Sequence, residues 1–336
     1  MLSVVRRMRP LSFDQVEEAW EKESRALSGW SKSPVHHGRE YREESIPRRR
    51  RLVAVVPVLD MPEGDTIFRT ATTIRSWLGN RRITGATSRN PHLGVGRLIG
   101  RTLVDVSAHG KHLFMEFEGV EAGADGPVPD DARLVLRTHM MMSGSWHVYG
   151  GSDRWHRPAR QAVVTLVAGE RVAVCFNAPV VELLPKRWSV AGRATADIGP
   201  DILAEPIDVD EIGRRIGNAD PTMAVGVALL DQHIVAGIGN IYRCESLFEG
   251  GVNPRLTLAE LRSGRFLEIV SIARRQMRAN LGAGNAVGGS REGVRAMPAV
   301  YRRTGRPCRT CGTSVVSERL GRQPRTVYWC PRCQPR

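Results

Sequence analysis

The sequence predicts an α+β chain of several domains: a β-sandwich opened by one helix, an all-helical domain, and a small cysteine-rich β-hairpin at the C-terminus. Three observations predict it. Short strand-like runs separated by Gly, Pro or Asp fill the stretch from Ile99 to Phe176. Helical spacing of apolar residues takes over near Asp208, and four of the six cysteines crowd into the last 29 residues. A chain of 336 residues with 41% hydrophobic and 25% charged residues supports two or three separate cores and excludes disorder throughout. The longest apolar run, Leu52 to Leu59, is about half of what a membrane-spanning helix needs and contains Pro57, so no membrane association is expected. The 49 Lys plus Arg against 35 Asp plus Glu leave a net charge of +14, which suits a polyanionic partner, a ribonucleoprotein component or merely a solvated basic surface.

Residues 1–60 differ from the rest. They combine a short helical stretch, Phe13 to Leu27, with Ser-, His- and Arg-rich text and a basic run at Arg48 to Arg51. That run begins too late for a secretory leader, and the nine acids of the segment argue against a mitochondrial presequence. The expectation is a disordered or non-functional extension on a cytoplasmic protein.

Residues 61–190 are expected to form the sandwich. Ile67 to Leu78 carries apolar residues at helical spacing and opens it. Strands are predicted at Ile99 to Val106, His112 to Phe117, Arg133 to Leu136, Trp146 to Tyr149, Ala162 to Val167 and Arg171 to Phe176. Residues 205–295 form the helical domain, with helices at Asp208 to Gly217, Ala224 to Asp231, Ile241 to Glu249 and Leu258 to Leu281. Between two of them lies Val235-Ala236-Gly237-Ile238-Gly239-Asn240. Its glycines permit close backbone approach, and the following helix N-terminus offers free N–H groups, so it reads as a phosphate cradle or as tight helix packing.

Residues 300–336 hold Cys308-x2-Cys311, 18 intervening residues, and Cys330-x2-Cys333. Two such knuckles place four thiolates around one structural Zn2+, with no position left open for catalysis; a pair of disulfides is the alternative. Between them, Thr313 to Val316 and Arg325 to Trp329 read as a two-stranded ribbon with a basic tip at Arg319, Arg322 and Arg325. Cys175 and Cys244 stand in apolar text and read as packing residues.

Three segments together resemble the signatures of the formamidopyrimidine-DNA glycosylase and endonuclease VIII family. They are Met61-Pro62-Glu63-Gly64-Asp65-Thr66, the stretch Leu229 to Glu245, and Arg325 to Gln334. The resemblance covers about Met61 to Gln334. It implies that the helical part is a helix-two-turns-helix DNA-binding domain, and that the chain is a bifunctional DNA glycosylase/AP lyase acting on damaged DNA. With the initiator methionine gone, the Pro62 amine would attack C1′ of the damaged nucleotide. An α-amino group ordinarily titrates at roughly 8, which leaves it far more nucleophilic at neutral pH than a lysine. Glu63 would serve as general acid/base, and read alone it is a helix-start residue favouring the dipole's positive end. Lys111 matches the phosphate-contacting lysine of β-elimination, Arg325 the arginine of δ-elimination, and Asn240 the asparagine that binds the DNA backbone.

His139-Met140-Met141-Met142-Ser143-Gly144 matches the wedge loop, with Met142 filling the gap left by a flipped base and Met141 where endonuclease VIII has glutamine. The alternative is three methionines packing the core. A DNA-contacting arginine expected near Glu182 is replaced by proline, and Lys186 or Arg187 is the substitute. The motif Pro62 to Thr66 and a short segment between Gly282 and Tyr301 favour the endonuclease VIII branch and oxidised pyrimidines. One structural Zn2+, no nucleotide cofactor and a monomer are expected. Because an internal Pro62 has no free amine, the active form is expected to begin there. The rival reading is a non-catalytic zinc-containing DNA-binding relative of the same fold.

Overall fold

The computed structural model describes residues 62–119, 133–186, 197–282 and 297–336. The extension 1–60, Arg187 and the segment 283–296 lie outside the described residues. Helix α1 (Gly64–Leu78) starts one turn earlier than its apolar spacing suggests, and it buries Ile67, Ala71, Ile74 and Leu78 against the sandwich. Polar Asp65 and Thr66 are also buried in that first turn, a placement that hydropathy cannot reveal.

The strands are β1 (Gly85–Ser88), β2 (Thr102–His109), β3 (His112–Glu118), β4 (Arg133–His139), β5 (Ser145–Gly150), β6 (Ala162–Ala168), β7 (Arg171–Phe176) and β8 (Val180–Pro185). They form two four-stranded antiparallel sheets, ordered β1-β6-β7-β5 and β2-β3-β4-β8. The alternation of β3 sends Leu113, Met115 and Phe117 into the core between the sheets, where Leu103, Leu136, Trp146, Leu166 and Cys175 meet them. Trp146 donates to Thr138 Oγ1 across the core at 3.1 Å, so its indole N–H is satisfied. Burial pushes the Cys175 thiol well above its ordinary value, as expected of an inert packing residue.

The helical part comprises α2 (Val209–Gly217), the single turn α3 (Val225–Ala228), α4 (Asn240–Glu249) and α5 (Arg265–Gly282). The expected long helix from Leu258 is interrupted. Leu258–Glu260 is a 3-10 turn with Thr257 and Glu260 as a capping box, and Gly264 at φ +82° separates it from α5. No helix among the described residues is long and apolar enough to cross a membrane.

Eight of the ten residues of α4 are buried, which makes it the hub of the molecule. One face, with Tyr242 and Leu247, enters the helical core. Another, with Ile241 and Cys244, enters a separate core shared with Val300, Tyr301, Val315, Val327 and Trp329. The ribbon strands are β9 (Val316–Leu320) and β10 (Arg325–Trp329), paired Arg325↔Leu320 through Trp329↔Val316. Its first strand is thus shifted C-terminally from the Thr313 to Val316 expectation, because the residues before it wrap the cysteine knuckle. Fully buried Gln334 ties the ribbon to the helical part: its side chain accepts from Cys330 N (3.0 Å) and donates to Val252 O (2.7 Å), and its backbone carbonyl accepts from Asn253 Nδ2 (2.9 Å).

Candidate active site

Three parts of the fold converge at the first turn of α1. Gly64 N donates to Gly237 O at 2.9 Å, which brings the helix start onto the turn before α4. The β2–β3 hairpin closes on the same turn: a Cβ on Gly110 would stand 2.8 Å from Ala236 Cβ, and Gly110 N donates to the buried Asp201 carboxylate at 3.0 Å. Gly237 takes φ +107°, a conformation that only glycine adopts without strain.

Glu63 is the N-cap residue of α1, and its backbone carbonyl accepts from Thr66 N and Ile67 N, but its side chain makes no capping bond to that helix. Its carboxylate, 1% exposed, instead accepts Ile241 N at 2.9 Å and Tyr242 N at 3.5 Å, the free N–H groups at the start of α4. The cradle read as a phosphate site therefore holds a carboxylate of the chain itself, because any anion satisfies those N–H groups and the positive end of the dipole. Gly239 makes this possible: a Cβ there would lie 2.6 Å from Glu63 Oε1. Pro62, one residue before, is buried.

Lys111 sits at the tip of the β2–β3 hairpin, half-buried. Burial pushes its ammonium down to about 8; Glu63 opposes that shift, and Arg325 and Arg243 add to it. Lys111, Glu63 and Arg325 thus share one electrostatic neighbourhood. Beside the lysine, His112 and His139 face each other across β3 and β4 with ring centroids 4.5 Å apart. Burial, then the neighbouring His139 and Arg137, push His112 down to about 3; burial, Lys111 and Arg137 push His139 to about 4. Both rings are neutral near pH 7, which leaves Lys111 as the cation of the hairpin.

His139 Nδ1 accepts the Met141 N–H at 3.2 Å and supports that residue's left-handed φ of 49°. The methionines divide. Met140 is 1% exposed and belongs to the sandwich core, whereas Met141 and Met142 are 50% and 63% exposed. Met142 Sδ accepts from Arg325 Nη1 at 3.5 Å, so the ribbon tip reaches the loop. Arg325 itself is exposed. Asn240 is turned inward: its Nδ2 donates to Thr326 O at 2.9 Å and its carbonyl accepts from Arg243. Lys186 pairs with Glu116 at 2.6 Å, within an ion-pair group that includes Arg133.

Sequence reasoning passed over Arg243, Glu245 and the Asp65–Tyr242–Asn280 chain. Tyr242 OH donates to Asp65 Oδ2 at 2.8 Å and accepts from Asn280, linking α1, α4 and α5. Glu245 accepts three backbone N–H groups, of Ala299, Val300 and Tyr301, at 2.8–3.0 Å, and so anchors the chain as it enters the ribbon. The only signal for these was charge on an otherwise apolar helix.

The Sγ atoms of Cys308, Cys311, Cys330 and Cys333 all lie within 4.8 Å of one another. Cys308 to Cys333 is 3.9 Å and Cys311 to Cys330 is 3.4 Å, close to the roughly 3.8 Å edge of a tetrahedron with Zn–S bonds of about 2.3 Å. All six cysteines are free thiols. The four-cysteine cluster is consistent with a structural zinc site, and the disulfide alternative does not describe it.

Residues 61–179 match the formamidopyrimidine-DNA glycosylase N-terminal domain and residues 198–289 the formamidopyrimidine-DNA glycosylase H2TH domain. The probable endonuclease 8 2 of Streptomyces coelicolor is 37% identical over 280 residues, 82% of this chain and 94% of that one. The chain belongs to the formamidopyrimidine-DNA glycosylase/endonuclease VIII family. The DNA-(apurinic or apyrimidinic site) lyase Nei2 of Mycolicibacterium smegmatis is 32% identical over 82% of this chain and 99% of its own. Among solved structures, a complex of Lactococcus lactis Fpg with DNA containing an abasic site superposes with a TM-score of 0.67 at 18% identity, over 82% of this chain and all of that one. The family's three parts, sandwich, H2TH domain and four-cysteine hairpin, thus account for the described residues.

Proposed function

We propose that this member of a family of base-excision-repair DNA glycosylase/AP lyases excises oxidised bases, pyrimidines favoured, and then cuts the strand by β,δ-elimination. The observation that carries the proposal is the convergence of Glu63, Lys111 and Arg325 around the start of α1, where Pro62 lies. In the active form Pro62 is the amino terminus. Its amine lone pair attacks C1′ as the bond to the damaged base breaks and the base leaves with a proton. Glu63 supplies a proton to the sugar ring oxygen when the C1′–O4′ bond opens, giving an iminium. Loss of a C2′ proton then expels the 3′ phosphate, which Lys111 neutralises. A second elimination expels the 5′ phosphate, toward Arg325 at the ribbon tip.

Met142, exposed and in reach of Arg325, would fill the space vacated by the flipped nucleotide. Met141 would face the opposite base, and Arg187, together with Asn240 whose side chain turns inward, would contact or support the DNA backbone. Cys308, Cys311, Cys330 and Cys333 would hold one Zn2+, whose chemistry is to cross-link the ribbon. Damaged DNA is the substrate class, and M. smegmatis Nei2, a named AP-site lyase, lends support to the strand-cleavage half.

The test is borohydride trapping on an oligonucleotide bearing an oxidised pyrimidine, with protein begun at Met61 and protein begun at Met1. The expected result is a covalent adduct in the first only, with the linked peptide identified as Pro62 by mass spectrometry. An adduct on another residue, Lys111 above all, would overturn the Pro62 assignment. No adduct in either form would leave the non-catalytic DNA-binding relative.

A further inference from the structure

Arg243 is fully buried, yet no carboxylate lies within ion-pair distance of it among the described residues. A guanidinium in that position is costly, and its Nε has no hydrogen-bond partner. Its oxygen partners are all neutral, and beyond them only the adjacent Cys244 sulfur and, from outside ion-pair distance, the Glu63 carboxylate favour its charge. Nη1 donates to Gly226 O at 3.2 Å, while Nη2 donates to Thr326 O at 2.9 Å, to Arg325 O at 3.5 Å and to Asn240 Oδ1. A methionine or leucine would pack there more cheaply, so the charge calls for a reason.

Its position supplies one. A two-stranded ribbon leaves many backbone groups of its strands without a strand partner, so its orientation depends on whatever holds them. Here the Thr326 carbonyl takes two donors from α4, Asn240 Nδ2 and Arg243 Nη2, directly behind Arg325. The same helical turn presents Ile241 N and Tyr242 N to Glu63 on its other side. One turn of α4 therefore grips the general acid/base with its backbone and the ribbon tip with its side chains.

We infer that Arg243 is a positioning residue for the second elimination: by clamping the Thr326 and Arg325 carbonyls it fixes where the Arg325 side chain stands relative to Glu63 and Lys111. The inference rests on the roles proposed above for Pro62 and Arg325. Arg243 touches no substrate. Its loss leaves the amine and Glu63 in place but lets the ribbon tip drift, and electrostatic assistance to a departing phosphate falls steeply with misplacement.

The experiment uses zinc-loaded protein with Pro62 at its amino terminus and a duplex containing a preformed abasic site. Single-turnover reactions give the ratio of δ- to β-elimination products, and borohydride trapping gives Schiff-base formation. R325A sets the reference. R243M is expected to lower the δ/β ratio tenfold or more while trapping stays within threefold of wild type and zinc stays at one per chain. The double variant R243M/R325A is expected to match R325A, since both act through one group. If R243M does not fold, R243K, which keeps the charge but not the fork, is expected to lower the ratio about threefold.

An unchanged ratio in whichever folded variant is measured overturns the positioning role. So does a fall in trapping as large as the fall in the ratio, which marks a purely structural residue. An R325A ratio equal to wild type overturns the Arg325 reading and this inference together, whereas an effect in R325A with none at Arg243 overturns this inference alone.

Discussion

In the proposed mechanism Lys111 contributes one limb of the pH dependence of the site. Its ammonium titrates at about 8 in the fold against 10.5 in a free side chain, with burial as the main cause. Between those values the unfolded chain holds the proton and the folded chain has released it, so stability rises with pH across that window. Below about 8 both states are protonated and the desolvation cost is present in full. K111M is therefore expected to raise Tm at pH 7, with the gain fading as pH climbs toward 10, and a constant difference across that range would contradict the assignment. Kinetically, a cation that neutralises phosphate is lost above pH 8, so kcat/KM for abasic-site cleavage should fall there, and K111R should move that limb upward without moving the rising limb of the Pro62 amine. The motif residues Pro62, Glu63, Lys111 and Arg325 could be picked out of the chain because the chemistry proposed for them demands those side chains. The destination of the Glu63 carboxylate was not legible. It lies 178 residues from its Ile241 donor, and an anion-seeking helix start says nothing of which anion arrives.

At the scale of elements, the start of α4 is built by subtraction. Gly239 leaves room for Glu63, and an alanine Cβ would overlap the Glu63 side chain itself, so the carboxylate would have to leave its place. G239A is expected to cost roughly 1–3 kcal/mol of stability, the usual cost of overpacking, and to reduce borohydride trapping at least tenfold by displacing Glu63. Trapping at wild-type levels would mean that Glu63 is not needed where it stands. Further along α4, Glu245 accepts three buried N–H groups, and burial pushes its carboxyl above the usual range. E245A orphans all three and is expected to destabilise the ribbon by about 3–5 kcal/mol; E245Q, which keeps a neutral acceptor, should lose less than half of that. Urea unfolding followed by Trp329 fluorescence reads both. Strongly patterned elements were legible: α1, β3, β6, β7 and α4 stand close to where periodicity put them. Strand β1, Gly-Ala-Thr-Ser, has no apolar alternation and owes its conformation to pairing with β6, and β8 ends in a proline that argues against a strand. Tertiary pairing decided both.

Across the whole molecule, the site exists only where three parts meet, and each part contributes what the others lack. The sandwich brings Glu63, Lys111 and the methionine loop; the helical domain brings the N–H groups and Arg243; the ribbon brings Arg325. The ribbon is the weakest partner, since its own core is small and borrows Ile241 and Cys244 from α4. Four cysteine sulfurs within 4.8 Å of one another suit one metal ion, whose binding would deprotonate them and couple to ribbon folding. Removing zinc with a strong chelator is expected to free the ribbon while the sandwich and the α1–α4 junction persist. Far-UV circular dichroism should change little and Trp329 should become solvent-exposed. Affinity for an abasic duplex should drop at least tenfold, because the cations of the ribbon no longer face the phosphates of a partner bound largely through charge. δ-Elimination should vanish before Schiff-base trapping does, since Glu63 is held by backbone N–H groups of α4 and Gly64 by Gly237, bonds in which no ribbon residue takes part. Zinc added back should restore both. A demetallated, folded protein with full affinity and an unchanged δ/β ratio would show that the four cysteines hold nothing that the chemistry needs.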